Sequence, residues 1–319
     1  MPVFKIHHIT KYAYEQPVSE SINEVKIFPY QCKEQEVLQH DLIISHQPDI
    51  HYFNDYWGNK TGTFTLIDPH TQLIIESKLI VRTTQTTQLS VNFHSGLDQL
   101  QNDVDYDLTL LELMKPDDIE KQEELQTIID TIYNATKSVA QIVEQSSEYI
   151  YKYFKYTKGI TTIETTVDEI LEDKRGVCQD FAHVLLQLLR SMGIPSRYVS
   201  GYICPNKNGM RGEGATHAWV EAWIPSYGWA GIDPTNNVWT TNNHIKLAVG
   251  RNFRDCSPVK GTFKGPSRQD LFVFVSVGYE DGQIFEETTQ VQMEKLEKTP
   301  EQKEADYLNA TFAAQQQQQ

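Results

Sequence analysis

The sequence predicts an α+β chain: an N-terminal antiparallel β-sandwich-like region, then a core in which one helix packs on an antiparallel sheet. Three observations carry this. Short β-forming runs separated by turns fill the first ninety or so residues, a complete apolar helical stripe runs from Phe181 to Met192, and strand-like alternation resumes after it. The expected division is a β-rich region over 1–91, a linker over 92–125, a core over 126–284 and a polar, flexible tail over 285–319.

Composition agrees with a globular chain. Its 319 residues suit one or two domains, and 39% hydrophobic with 22% charged residues is a folded-protein profile. A net charge of −15 argues against a general affinity for nucleic acid or anionic membranes. No stretch approaches the ~18 apolar residues that span a bilayer, and "MPVFKIHHITKYAYE" lacks the pattern of a secretion signal, so a cytoplasmic location is expected. Cys32, Cys178, Cys204 and Cys256 are scattered without a C-x-x-C, which suggests neither a zinc site nor a disulfide framework.

Along the chain, "FKIHHITKYAYE", "VLQHDLIIS", "GTFTLI" and "QLIIESKLIVRT" read as strands between turn-rich pieces such as "NDYWGNK". The segment after Asn92 is polar and irregular. Asp103, Asp105 and Asp107 open like a calcium loop, but Leu108 replaces the turn glycine and Met114 the closing carboxylate, so solvated charge is the better reading. Helices follow in "IVEQSSEYIYKYF" and in "TTVDEILED", where Thr166 and Glu169 form a capping box. In the next helix Phe181, Val184, Leu185, Leu188, Leu189 and Met192 make one apolar face, with Gly193 ending it and Pro195 just beyond. "SRYVSGYIC", "THAWVEAWI", "YGWAGIDP" and "LFVFVSV" are strands again.

With that register Cys178 falls in the first turn of the helix. The unpaired N–H groups and positive dipole end there stabilise an anion, which is the reactive form of a thiol, and Arg175 adds positive charge nearby. Read alone, a lone cysteine is more often structural. In "THAWVEAWI", however, Ala218, Val220, Ala222 and Ile224 share the face suited to a core, and His217, Trp219, Glu221 and Trp223 share the other. A strand histidine brought to the thiol can take its proton. His183 is nearer in sequence but is turned about 140° from Cys178 around the helix, and His7, His8, His51 and His70 read as structural. Asp233, ending the following strand before Pro234, is placed to hold the far nitrogen of the imidazole.

The segments "GVCQDFAHVLLQLLRSMGIPSRYVSGY", "THAWVEAWIPSYGWAGIDPTNN" and "HIKLAVGRNFRDCSPVKG" resemble the core of the bacterial transglutaminase-like superfamily, whose chemistry is similar to that of papain-type cysteine proteases. The front, "HHITKYAYEQPVSESINEVKIFPY" through "DYWGNKTGTFTLIDPHTQLIIESKLIV", resembles the β-rich domain preceding that core in bacterial members, so the likeness covers roughly residues 3–278. It implies Cys178 as nucleophile, His217 as base and Asp233 as orienting acid. One departure is Asn252 in "GRNF", where the family more often has Asp; Asn keeps the hydrogen bonding and drops the charge. The calcium loops of animal transglutaminases have no counterpart, and no cofactor is expected.

The expected chemistry is acyl transfer or amide hydrolysis on a protein or peptide substrate through a Cys178 thioester. The oxyanion would be held by the Cys178 N–H and a second donor, Gln179 or the Trp219 indole. Water as sole acceptor, and a silent binding or scaffold protein, are the alternatives. For the front β-domain, substrate binding, shielding of the cleft and assembly of a homo-oligomer stay open.

Overall fold

A computed structural model describes residues 1–84, 93–204, 210–211, 216–280 and 284–293, the last stretch as backbone alone. The chain opens with strands β1 (Val3–Val18), β2 (Glu20–Val25), β3 (Gln35–Ile44), β4 (His51–Asn54), β5 (Lys60–Leu66) and β6 (His70–Thr83). Helices α1 (Leu97–Val104), α2 (Leu108–Met114), α3 (Gln122–Ile132) and α4 (Val139–Tyr153) come next. Strand β7 (Lys155–Tyr156), helix α5 (Val167–Asp173) and strand β8 (Arg175–Gly176) then lead into α6 (Cys178–Ser191). Strands β9 (Ser196–Ile203), β10 (Thr216–Ile224), β11 (Gly228–Asp233), β12 (Val238–Trp239) and β13 (His244–Gly250) precede the short helix α7 (Phe253–Cys256). Strands β14 (Val259–Lys264), β15 (Gln269–Tyr279) and β16 (Ile284–Met293) complete the described chain.

Two antiparallel sheets form the β-rich part, in the orders β16-β15-β1-β6-β3 and β14-β2-β5-β4. The alternation read in "FKIHHITKYAYE" has its physical cause here. From Phe4 to Tyr14 every second side chain of β1 is buried, and Tyr12, Tyr14 and Val18 pack with Val25, Phe64, Leu73 and Ile75 between the sheets. The expected antiparallel sandwich is therefore present.

The core follows the expectation too. A sheet of order β12-β11-β10-β9-β13 carries α6 on one face, where Phe181, Val184, Leu185, Leu188 and Leu189 pack with Ala218, Val220, Ala222 and Ile224. Thr166 and Glu169 make the reciprocal cap of α5, and Gly193 takes a left-handed φ of 75° just beyond α6.

Two features differ from the expected division. The 92–125 stretch is helical rather than a linker: Leu100 and Val104 of α1 and Leu110 and Leu113 of α2 are buried. Each helix is so short that two buried positions leave almost no periodic signal. Asp107 accepts the N–H groups of Thr109 and Leu110, and Asp103 accepts the Trp223 indole N–H at 2.8 Å, so these carboxylates cap and anchor. The second difference is that β14, β15 and β16 do not extend the core sheet. β15 lies antiparallel between β1 and β16, and β14 pairs with β2, so the chain returns to the first domain after the core. Residues 284–293 are a strand, not tail; residues 294–319 lie outside the described residues. No helix among the described residues is long and apolar enough to cross a membrane.

The seam between the sheets and the core is itself packed. Phe4, Ile6, Leu79, Val81, Val275 and Val277 meet Tyr202, Ile245 and Leu247 of the core sheet in one buried cluster. Beside it, Glu221 is buried between Arg197, at 2.7 Å, and Lys246, and burial's upward push on its carboxyl is overcome by those two cations, which bring it down to about 2.

Candidate active site

The geometry begins at the start of α6. Val177 is extended and Cys178 is the first helical residue. The first bond of the helical ladder runs from the Phe181 N–H to the Val177 carbonyl at 3.1 Å, so the ladder leaves the N–H groups of Cys178 and Gln179 unused. Asp180 braces this end: its Oδ2 accepts the Val177 N–H and the Thr161 hydroxyl, each at 2.7 Å.

Strand β10 presents the second group. Its pairing with β9 sets His217 opposite Gly201 on the face away from the helices' core. Beside it on that face stands Trp219, whose ring tip would lie 2.6 Å from a Cβ at Gly201; a glycine is required there. His217 Nε2 donates to Asp233 Oδ2 at 2.8 Å, and both side chains are fully buried. The other ring nitrogen, Nδ1, is buried without a hydrogen-bond partner. Cys178 and His217 both line one cavity of about 280 Å³.

Electrostatics assign the proton. Burial alone would lower the His217 pKa; the Asp233 carboxylate and the Cys178 sulfur raise it instead, to about 10. Asp233, which burial would push up, is held far below the usual carboxylate range by His217 and His244. It also accepts from Asn236 Nδ2 at 2.7 Å and from the Thr235 N–H at 2.9 Å. His244 donates to Asp233 through Nε2 at 3.3 Å, since its Nδ1 accepts the Thr241 N–H at 3.2 Å. Burial lowers the pKa of that second ring despite the carboxylate, so it is the neutral member of the pair. The nitrogen and oxygen atoms of His217, Asp233 and His244 lie within 4.8 Å of one another, but both Nε2 atoms are engaged by the carboxylate; the group is a hydrogen-bonded charge network rather than an open ligand set.

Of the two side chains expected as a second oxyanion donor, only Gln179 lines the cavity. Trp219 is 1% exposed and packs with Val199, Val249, Tyr30 and Trp57. Its ring stacks behind His217 at 6.3 Å and meets His244 edge-on at 5.2 Å, so it walls the imidazole in. His183 packs on Tyr198 and accepts the Phe253 N–H at 3.2 Å, away from the thiol, as its helical angle predicts. Asn252 caps α7 by accepting the Arg254 N–H at 2.9 Å, a task that needs no charge.

Sequence reasoning missed His8, Asn236 and His244. Asn236 had a faint signal, three residues past Asp233 in the same turn. His8 had none. It stands on β1 with Thr10 and Tyr12, all three lining the thiol's cavity, with its Nδ1 2.7 Å from the Tyr202 hydroxyl. Burial and the neighbouring His7 lower its pKa to about 4, so it is neutral. Part of the wall of the Cys178 cavity thus comes from the first domain.

A helix-start cysteine, a strand histidine and a carboxylate on the next strand define a cysteine-based enzyme class. The chain belongs to the transglutaminase-like superfamily: the model of that superfamily matches residues 126–234, and the model of the bacterial transglutaminase-like N-terminal region matches residues 4–82. An uncharacterized protein of Mycobacterium leprae is 33% identical over 288 residues, covering 86% of this chain and 97% of that protein. A protein-glutamine gamma-glutamyltransferase of Pseudomonas aeruginosa is 40% identical over 92 residues, 27% of this chain and 14% of that protein. A solved structure from Cytophaga hutchinsonii, described as a candidate cysteine protease, shares the fold with a TM-score of 0.66 at 20% identity and 92% coverage of both chains.

Proposed function

We propose that the protein transfers or hydrolyses acyl groups of protein or peptide amides through a thioester on Cys178. The observation that carries this reading is the buried His217 ring, fixed through Nε2 by Asp233 with its Nδ1 left unpartnered, in a cavity that Cys178 also lines. The thiolate sulfur attacks the carbonyl carbon and forms the C–S bond. The C–N bond then breaks, and the imidazolium hands its Nδ1 proton to the departing amine or ammonia. In the second half, water or an amine attacks the thioester, His217 takes its proton, and the thiolate leaves. The N–H groups of Cys178 and Gln179 at the helix end supply the oxyanion donors, with the Gln179 side chain beside them. Asp233 holds the Nε2–H throughout, stabilising the imidazolium and fixing the tautomer of the neutral ring.

Likeness to the P. aeruginosa glutamyltransferase favours glutamine carboxamides as donors and an amine as acceptor, and likeness to the C. hutchinsonii candidate cysteine protease favours peptide bonds and water. Intact-mass analysis of a glutamine peptide incubated with and without a primary amine separates them: an amine adduct, a gain of about 1 Da from deamidation, or cleavage fragments. Recovery of the unchanged peptide and of unchanged unfolded casein, with wild-type turnover equal to that of Cys178→Ala, would leave a binding or scaffold role.

A further inference from the structure

We propose that the first domain is the substrate-binding platform, and that the substrate is an extended polypeptide segment that adds as a strand to the outer edge of β14. This deepens the amide-chemistry reading above and rests on it for the identity of the reacting group.

The cavity holding Cys178 and His217 does not stop at the thiol. A second cavity, of about 320 Å³, adjoins it and shares Tyr12, Ile163, Phe253, Ser257 and Val259 with it. Its long wall is β14, which contributes five successive residues, Val259 through Phe263. Successive residues of a strand point to opposite faces. A cavity touched by both sets reaches the strand's edge, and Asn23, Tyr12 and Tyr14 show that it also extends over the face turned to the other sheet.

That edge carries hydrogen-bonding groups. β14 ends its sheet and pairs with β2 alone among the described residues. The Lys26 N–H donates to the Pro258 carbonyl at 2.8 Å, so alternation turns the backbone of Lys260 and Thr262 toward β2 and that of Val259 and Gly261 outward. Ser257 Oγ occupies the Val259 carbonyl at 3.2 Å. Gly261 sits at the middle and is held to glycine, because a Cβ there would come 2.4 Å from Asn23 Oδ1.

Elsewhere the molecule closes such an edge. β13 ends the core sheet, and Gln35 and Asn59 reach across to it as substitute strand neighbours. Gln35 gives and takes hydrogen bonds with the carbonyl and N–H of Lys246 at 2.8 and 2.9 Å, and Asn59 does the same for Val249 at 2.7 and 2.8 Å. At Gly261 and the Val259 N–H the β14 edge meets no such clamp among the described residues, and that edge continues into the cavity of the nucleophile. The ligand that matches a row of N–H and C=O groups is another peptide backbone.

The test uses the full-length Cys178→Ala protein and two probes, unfolded dimethylated casein and an acetylated peptide of about ten residues with one central glutamine. Amide exchange on binding is expected to slow at Gly261, and a backbone N-methyl scan of the peptide is expected to weaken its Kd about three- to tenfold at alternate positions only, the size of one lost hydrogen bond. Binding without protection in β14, an N-methyl effect with no alternation, or no binding of either probe overturns the proposal. Protection of β14 in Cys178→Ala, with no product from wild-type enzyme on either probe, upholds the docking edge and refutes the amide chemistry instead.

Discussion

His217 is a charged ring in a place that disfavours charge. Burial pushes its pKa down, and the Asp233 carboxylate with the Cys178 sulfur reverses this, to about 10. Its folded value lies above the ordinary histidine value of 6.5, so the stability it contributes is complete below that value and is lost as pH rises through about 10. Asp233 works in the opposite direction: held far below its ordinary value, it contributes above the usual carboxylate range and loses that contribution only in strong acid. Between these limits the imidazolium is present beside the thiol. Iodoacetamide alkylation of Cys178 near pH 6 should therefore be slower by about 10²-fold in His217→Ala than in wild-type protein. Equal rates would remove the pair from the chemistry. Asp233→Asn should lower kcat by about 10²–10⁴-fold, since a neutral amide cannot hold the ring's charge.

At the scale of one element, the start of α6 depends on Asp180. Its buried carboxylate closes the Val177 N–H and ties the helix to Thr161, at 2.7 Å each, and Gly176 leaves room for it, because a Cβ there would fall 2.5 Å from Oδ2. Asp180→Ala removes the brace one turn from the thiol. Urea denaturation should show a loss of about 1–3 kcal/mol, with slower alkylation of Cys178 even where the protein is fully folded. An unchanged midpoint and rate would make the brace incidental.

For the whole molecule, the seam between the domains decides whether a cavity exists. His8, Thr10 and Tyr12 can face Cys178 only while β1 is docked on the core, and docking rests on the Phe4–Val277 cluster and on the two amide clamps over β13. Asn59→Ala leaves the N–H and C=O of Val249 unpaired in a buried seam. It should cost about 2–4 kcal/mol in chemical denaturation and reduce turnover of peptides more than alkylation of Cys178 by iodoacetamide, which needs no opposite wall. Equal losses in both rates would mean that the first domain serves stability alone.

The helix that begins at Cys178 and its thiol are written in local pattern. A stripe of period 3.6 from Phe181 to Met192 puts Cys178 at a helix start, period-two alternation gives His217 a face of its own, and Asp233 ends the following strand. These signals depend on neighbours in the chain, so the sequence alone determined them, together with the antiparallel first domain and the cap at Thr166. What only the tertiary structure decided depends on partners far away in the chain. The return of β14 and β15 to β2 and β1, the helical nature of 97–114, and the convergence of His8 and His244 on the site carry no local period. Strand pairing is settled by which faces bury together and which backbone groups find partners, a free-energy comparison over the whole chain that no short window contains.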